Sequence, residues 1–181
     1  MIDANGFRYN IGIILVNQQR QVLLAKRVGQ DAWQFPQGGI NSDEKIKDAL
    51  LRELYEEIGL EHSVVKIIGQ TKHWLRYKVP YNFTRDKSVS GIVKPGEPEF
   101  VGQKQRWYLL KFMGDDAQIN LNISSKPEFD GWQWVSYWYP LRKVIFFKRG
   151  VYRRALAELS PLFWQDHARR NSINSLDHLL T

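Results

Sequence analysis

Three glutamates, Glu53, Glu56 and Glu57, fall within the segment RELYEEIGL. At positions i, i+3 and i+4 of a helix they share one side within a single turn. Like charges held that close repel unless something neutralises them. On a helical wheel at about 100° per residue with Ile46 at zero, Leu50 falls near 40°, Glu53 near 340° and Glu57 near 20°. Two acids therefore continue the apolar stripe, where burying an unpaired carboxylate costs several kcal/mol. A hard divalent cation resolves the conflict, because Mg²⁺ takes carboxylate oxygens and keeps waters for a substrate phosphate and a nucleophile. Arg52, four residues before Glu56, is spaced to hold that side chain by a forked hydrogen bond. The competing reading is an ordinary charged helix with intrahelical pairs, and the wheel argues against it.

The elements around these residues follow from local pattern. The helix is expected from about Ser42 to Ile58, with Asn41 and Glu44 as a capping box and Gly59 as its stop. Asp43 and Glu44 suit the positive end of its dipole. Ahead of it lies a Trp/Gly/Pro-rich loop, Trp33 to Gly39. Arg8 to Val16 and Val22 to Lys26 read as strands joined by a polar turn. Val64 to Val79 reads as extended, Arg106 to Met113 and Trp132 to Val135 as strands, and Lys148 to Leu159 as a helix stopped by Pro161. Pro80 to Gln103 is a long Gly, Pro and charge-rich connection, of a kind that is usually functional or mobile. The expected organisation is one domain over residues 1–165, carrying the long loop 80–103, and a polar tail at 166–181. That tail is expected to fray, with Leu176, Leu179 and Leu180 able to form a docking turn.

Composition narrows the partners. The chain has 181 residues, enough for a single domain that buries roughly two thirds of its unfolded surface. A net charge of +7 favours polyanions such as nucleic acid or nucleotide phosphates. There is no cysteine, which excludes disulfides, thiol nucleophiles and Cys-based zinc sites. The N-terminus has no signal-like pattern and no apolar run reaches membrane-spanning length, so a soluble cytoplasmic protein is expected.

The stretch from Gly38 to Leu60 has a fuller pattern: Gly, five residues, Glu44, seven residues, Arg52-Glu53-Leu54, one residue, Glu56-Glu57, one residue, Gly59-Leu60. This resembles the complete signature box of the Nudix hydrolases. The resemblance implies an α/β/α sandwich (α+β) with a central mixed sheet, the box forming loop–helix–loop at the active site. It implies that Glu53, Glu56 and Glu57, with the Gly38 carbonyl, bind one to three Mg²⁺ ions, for which Mn²⁺ can substitute. Glu53 is then the most sensitive catalytic residue, as ligand and base, with Arg52 beside it. The implied reaction is attack of water on a phosphorus of a polyphosphate chain.

Further segments, among them Gly6-Phe-Arg8, Trp33 to Ile40, Trp74 to Tyr77, Pro127 to Trp132 and Phe147-Lys-Arg149, resemble the bacterial RNA pyrophosphohydrolase family up to about residue 160. Those enzymes remove pyrophosphate from 5′-triphosphorylated RNA, leaving a 5′-monophosphate that promotes mRNA decay. The resemblance gives Arg8, Arg27 and Lys148 the task of gripping phosphates and the adjoining nucleotide. Phe147 is the matching base-stacking aromatic, with Ile145 beside it on the pocket wall. Glu128 matches a loop carboxylate that joins the metal site from outside the box. The same segments also suit a hydrolase of dinucleoside polyphosphates such as diadenosine tetraphosphate. A non-catalytic, RNA-binding Nudix module would be expected to lose box carboxylates, and this chain keeps them.

Overall fold

Alternating apolar residues in the first part of the chain form β1 (Phe7–Val16) and β2 (Gln21–Arg27) in the computed structural model, which describes residues 1–84 and 99–177, with side chains through 165. The loop reading of Trp33 to Gly39 is corrected. It holds two very short strands, β3 (Trp33–Gln34) and β4 (Gln37–Gly39). After these come α1 (Ile46–Ile58), β5 (Val65–Gln70), β6 (Leu75–Lys78) and α2 (Tyr81–Thr84), then β7 (Gly102–Phe112), β8 (Phe129–Ser136), α3 (Pro140–Lys143) and α4 (Arg149–Asp177). Most of the connection read between Pro80 and Gln103 lies outside the described residues, as do Leu179 and Leu180.

One mixed sheet organises the molecule, in the order β3-β2-β1-β7-β5, with β4 on β1, β6 on β7 and β8 on β2. β1 and β7 run parallel over ten residue pairs, from Phe7 opposite Gly102 to Val16 opposite Lys111. The other strand pairings are antiparallel. β1 meets β2 at Val16 and Val22, whereas its first half pairs with β4. The sheet is thus split between β1 and β2, and β4 lines the split.

Period-two alternation sends side chains of each strand to opposite faces. Ile11, Ile13 and Leu15 of β1 join Leu23, Tyr108 and Leu110 beneath Ala49, Leu50, Leu54 and Ile58 of α1. Ile14 and Val16 join Leu24, Trp107 and Leu109 beneath Val151, Tyr152, Ala155, Leu156 and Phe163 of α4. The result is the expected α/β/α sandwich, one helix layer on each face.

Three local expectations differ from what is observed. α1 starts at Ile46, after an Lys45 cap position that makes no side-chain cap bond. Glu44 supplies half of the expected box by accepting from the Asn41 N–H at 3.1 Å, which closes a turn ahead of the helix. α4 also runs straight through Pro161 to Asp177, so a stop at Pro161 is not seen. Proline deprives the carbonyl four residues back of its donor. That carbonyl belongs to Ala157, and the Ser160 hydroxyl donates to it at 3.0 Å.

Candidate active site

α1 buries Ala49, Leu50, Glu53, Leu54, Glu57 and Ile58, the stripe drawn by the wheel with both acids on it. Glu53 is 8% exposed and Glu57 4% exposed, whereas half of the Glu56 side chain meets solvent. The tip of Glu53 lies directly over the Gly38 Cα, in space that a Cβ at Gly38 would fill. Glycine is therefore required at position 38 so that β4 can approach the helix. Gly59 closes α1 in the left-handed region, at φ 72°, its N–H donating to the Tyr55 carbonyl at 2.9 Å.

Arg52 organises the acids differently from the expected fork onto Glu56. Its fork closes on Glu44, with Nε and Nη2 donating at 2.7 and 2.9 Å. Nη1 divides between Glu53 at 2.7 Å and Glu56 at 3.0 Å, and Nη2 also reaches the Gly39 carbonyl at 2.9 Å. Glu44 takes the fork because it stands in the turn before the helix, facing Arg52 from outside. The Arg52 guanidinium holds the Glu44 carboxyl below its usual range.

Burial has the opposite effect on the inner acids. It pushes Glu53 up to about 7 in spite of Arg52, with Glu56 and Glu128 adding repulsion. Glu57 is raised well above the ordinary carboxylate range by burial, then by the charges of Glu128 and Glu53. One of its oxygens, Oε2, accepts from the Gln37 N–H at 2.7 Å. The other, Oε1, is buried and has no hydrogen-bond partner among the described residues. Among those residues no three acids or histidines are gathered into a ready metal cage, and Arg52 bonds both Glu53 and Glu56. An orphaned carboxylate oxygen among mutually repelling acids nevertheless fits a hard divalent cation, which would supply both the partner and the missing charge.

Arg27, Ile145, Phe147 and Lys148, the sequence candidates for substrate contact, line one cavity of about 160 Å³. Gln37 lines it too, and through its N–H touches Glu57, so cavity and acid cluster share a wall. Lys148 is 6% exposed and donates to Gln34 Oε1 at 3.0 Å. Burial, then the charge of Arg27, lowers it to about 7, partly offset by Glu128 and Glu57. Phe147 packs at 5.1 Å from Phe83 and 6.0 Å from Tyr77 (ring centroids), while its neighbour Phe146 is 62% exposed. Arg8 stands apart from this cavity, its guanidinium over Gly39 at the other end of β4. Glu128 is exposed, just before β8, and acts on Glu57 and Glu53 through its charge.

Several participants were not singled out from sequence: Gln34, Gln37 and Phe83, and a polar chain behind the cavity; Glu44 was read as a cap and a box position, not as the partner of Arg52. In that chain Gln105 donates to Asn10 at 2.7 Å and to Gln37 at 3.2 Å, and the Tyr77 hydroxyl donates to Gln103 at 2.7 Å. Gln103 and Gln105, two apart on a strand, carried the signal, because their spacing puts two polar side chains on one buried face.

Known proteins agree with this architecture. Residues 6–155 match the NUDIX domain. The chain belongs to the NUDIX domain family and is a Nudix hydrolase, an enzyme class that acts on phosphoric anhydride bonds and generally uses divalent metal ions. Within it, the chain is 56% identical over 161 residues to the RNA pyrophosphohydrolase of Pseudomonas paraeruginosa, covering 89% of this chain and 96% of that protein. Among solved structures, the dihydroneopterin triphosphate pyrophosphohydrolase of E. coli superposes with a TM-score of 0.61 at 16% identity, over 82% of this chain and 95% of its own. An Ap4A hydrolase of C. elegans superposes at 0.60 and 15% identity, over 87% and 98%. At such identities the two structures speak for the fold alone. No helix among the described residues is long and apolar enough to cross a membrane.

Proposed function

We propose that the chain removes pyrophosphate from the 5′-triphosphate end of RNA, leaving a 5′-monophosphate that opens the transcript to decay, in the cytoplasm. One observation carries the reading: buried Lys148, with Arg27 beside it, lines a cavity whose Gln37 wall is hydrogen-bonded to Glu57. Anion-binding and cation-binding groups thus meet at one wall, as a metal–polyphosphate substrate requires. The 56% identity to a protein named RNA pyrophosphohydrolase supports RNA as the carrier of that polyphosphate.

Glu53, Glu56, Glu57 and the Gly38 carbonyl, with Glu128 from outside the helix, are the residues that would hold Mg²⁺, or Mn²⁺ in its place. When bound, such an ion neutralises charge developing on phosphate oxygens and makes water a better nucleophile at neutral pH. The Glu53 Oε1 is tied to Arg52, which leaves Oε2, over Gly38, to accept a proton from the attacking water. Arg52 fixes Glu53 and Glu56 against each other, and Glu44 fixes Arg52. Lys148, with its pKa lowered to about 7, gains charge when substrate phosphates approach, so its grip strengthens with the ligand in place. Arg8 and Arg27 supply permanent charge on either side. Phe147 and Ile145 form the apolar wall for a base near the 5′ end, where stacking is worth about 1–3 kcal/mol.

The test compares kcat/KM for 5′-triphosphorylated RNA and for diadenosine tetraphosphate, each with Mg²⁺. The reading predicts a clear preference for RNA. A clear preference for the dinucleotide would overturn it in favour of a dinucleoside polyphosphate hydrolase.

A further inference from the structure

A second hollow, of about 420 Å³, is lined by Asn5, Phe7, Arg76, Tyr77, Lys78 and Arg154. It opens at β6, which hydrogen-bonds to β7 on one side only among the described residues. On the other side Arg154 of α4 reaches the strand, donating to the Arg76 carbonyl at 2.8 Å. Phe7 and Lys78 both stand opposite Gly102, where the Tyr77–Lys78 backbone packs into the space a side chain would take, so the two strands lie close beneath the hollow. The Arg76 guanidinium lies 5.6 Å from the Phe7 ring centroid.

Three cations meet here, and none of them pairs with a carboxylate among the described residues. Of the described acids nearby, Asp3 is paired with Lys104 at 3.1 Å and Glu158 accepts from the Lys72 N–H, while Glu99 is exposed beyond Gly6. The charge also runs against local helix electrostatics. Arg149, Arg153 and Arg154 occupy the first two turns of α4, the positive end of its dipole, and its first turn holds no acid. Positive charge that no carboxylate among the described residues pairs with, at a strand edge and a helix start, is unfavourable for the protein alone and favourable for an external polyanion.

One buried side chain, Tyr77, stands between the hollow and the substrate cavity. Tyr77 lines the hollow, while its ring stacks on Phe147 and its hydroxyl bonds Gln103, both of which line the cavity. We propose that the hollow is a phosphate-backbone site for RNA, holding the strand downstream of the 5′ end that sits in the cavity. This rests on the RNA reading above. It adds a dependence on substrate length, because a triphosphorylated dinucleotide ends before the hollow and a longer strand crosses it.

The experiment uses the R76Q/K78Q double variant, whose two residues lie outside the catalytic cavity, with Arg154 left in place to hold α4. Kinetics are measured on a triphosphorylated dinucleotide and on triphosphorylated RNA of about 12 nucleotides, within the footprint range of single-strand binders. The expected result is a KM for the longer RNA raised roughly three- to tenfold, with kcat and the dinucleotide kinetics unchanged. The slope of log(kcat/KM) against log[salt] on the longer RNA should become shallower by about 1.4, for two lost phosphate contacts on a single strand. A 5′-hydroxyl RNA of the same length should inhibit the wild type and lose potency against the variant. Equal effects on both lengths, or none on either, would overturn the proposal. Should circular dichroism show the double variant to be unfolded, K78Q alone undergoes the same comparison with about half the salt effect. Failure of the wild type to cleave either RNA, with diadenosine tetraphosphate cleaved, is a separate outcome that overturns the RNA reading itself.

Discussion

The two sides of the cleft both bury charge, with opposite sign. On α1, burial lifts Glu53 to about 7 and Glu57 well above the carboxylate range. Just before α4, burial lowers Lys148 to about 7, with Arg27 adding to the effect. Each side is under strain by itself, the first lacking a cation and the second an anion. The proposed metal–polyphosphate complex would satisfy both at once. The two sides also differ in how they are assembled: the acids come from a single helix, whereas the cavity gathers residues from β2, β3, β4, α2, β7 and the segment before α4.

If the acids carry the chemistry and the cavity carries affinity, substitutions should separate along that line. The largest effect belongs to Glu53→Gln, which removes the proposed proton acceptor and proposed metal ligand. It should lower kcat by about 10²–10⁴-fold while KM for RNA stays within a few-fold. Undiminished hydrolysis would refute the role of Glu53. Gly38→Ala comes next. Its methyl group would occupy the space of the Glu53 tip, and displacement of a catalytic group by an ångström costs about 10²-fold in rate. A Gly38→Ala enzyme with normal turnover would mean that β4 and α1 yield more easily than their contact suggests.

On the cavity side, Arg27→Ala or Lys148→Ala should raise KM for RNA by about tenfold and reduce its salt dependence. Mg²⁺ affinity, read by calorimetry, should remain close to wild type. A matching loss of metal affinity would make these residues structural.

The acid side was readable in the sequence because helix periodicity alone places Glu53 and Glu57 on the buried stripe. What followed from three-dimensional assembly was not readable. The Arg52 fork goes to Glu44, eight residues away, because residues 41–44 close a turn before the helix begins. β3 and β4 are two and three residues long around Pro36, too short for any alternation to show. Where α4 continues through Pro161, the Ser160 hydroxyl supplies the Ala157 carbonyl with a donor, which no periodicity announces. Arg27, Lys148, Phe147 and Ile145 were found by resemblance, and their burial and shared cavity by the structure. The polar chain of Asn10, Gln37 and Gln105 was overlooked, although each polar side chain sits on a mostly apolar strand or in a Gly-rich turn.

The smallest expected effect is a pH signature of opposite sign on the two sides, measured as Tm in metal-free protein. Glu53 has a folded pKa above its unfolded value. Its stabilising contribution is therefore complete below about pH 4.5 and lost as pH rises through about 7. Lys148 has a folded pKa below its unfolded value, so its contribution is present above about pH 10.5 and lost as pH falls through about 7. Relative to the wild type, Glu53→Gln should gain several degrees between pH 5 and 8, roughly, and Lys148→Met should gain most on the acid side of pH 7. Saturating Mg²⁺ should erase the first difference and leave the second. Parallel pH profiles for the two variants would break the contrast.

The most direct measurement follows the products from triphosphorylated RNA labelled on the γ phosphate. With Mg²⁺ the wild type should release the label as pyrophosphate and leave 5′-monophosphorylated RNA, while Glu53→Gln and chelator-treated enzyme release almost none. Label that stays on the RNA while diadenosine tetraphosphate is cleaved, or that leaves as orthophosphate, would contradict the account.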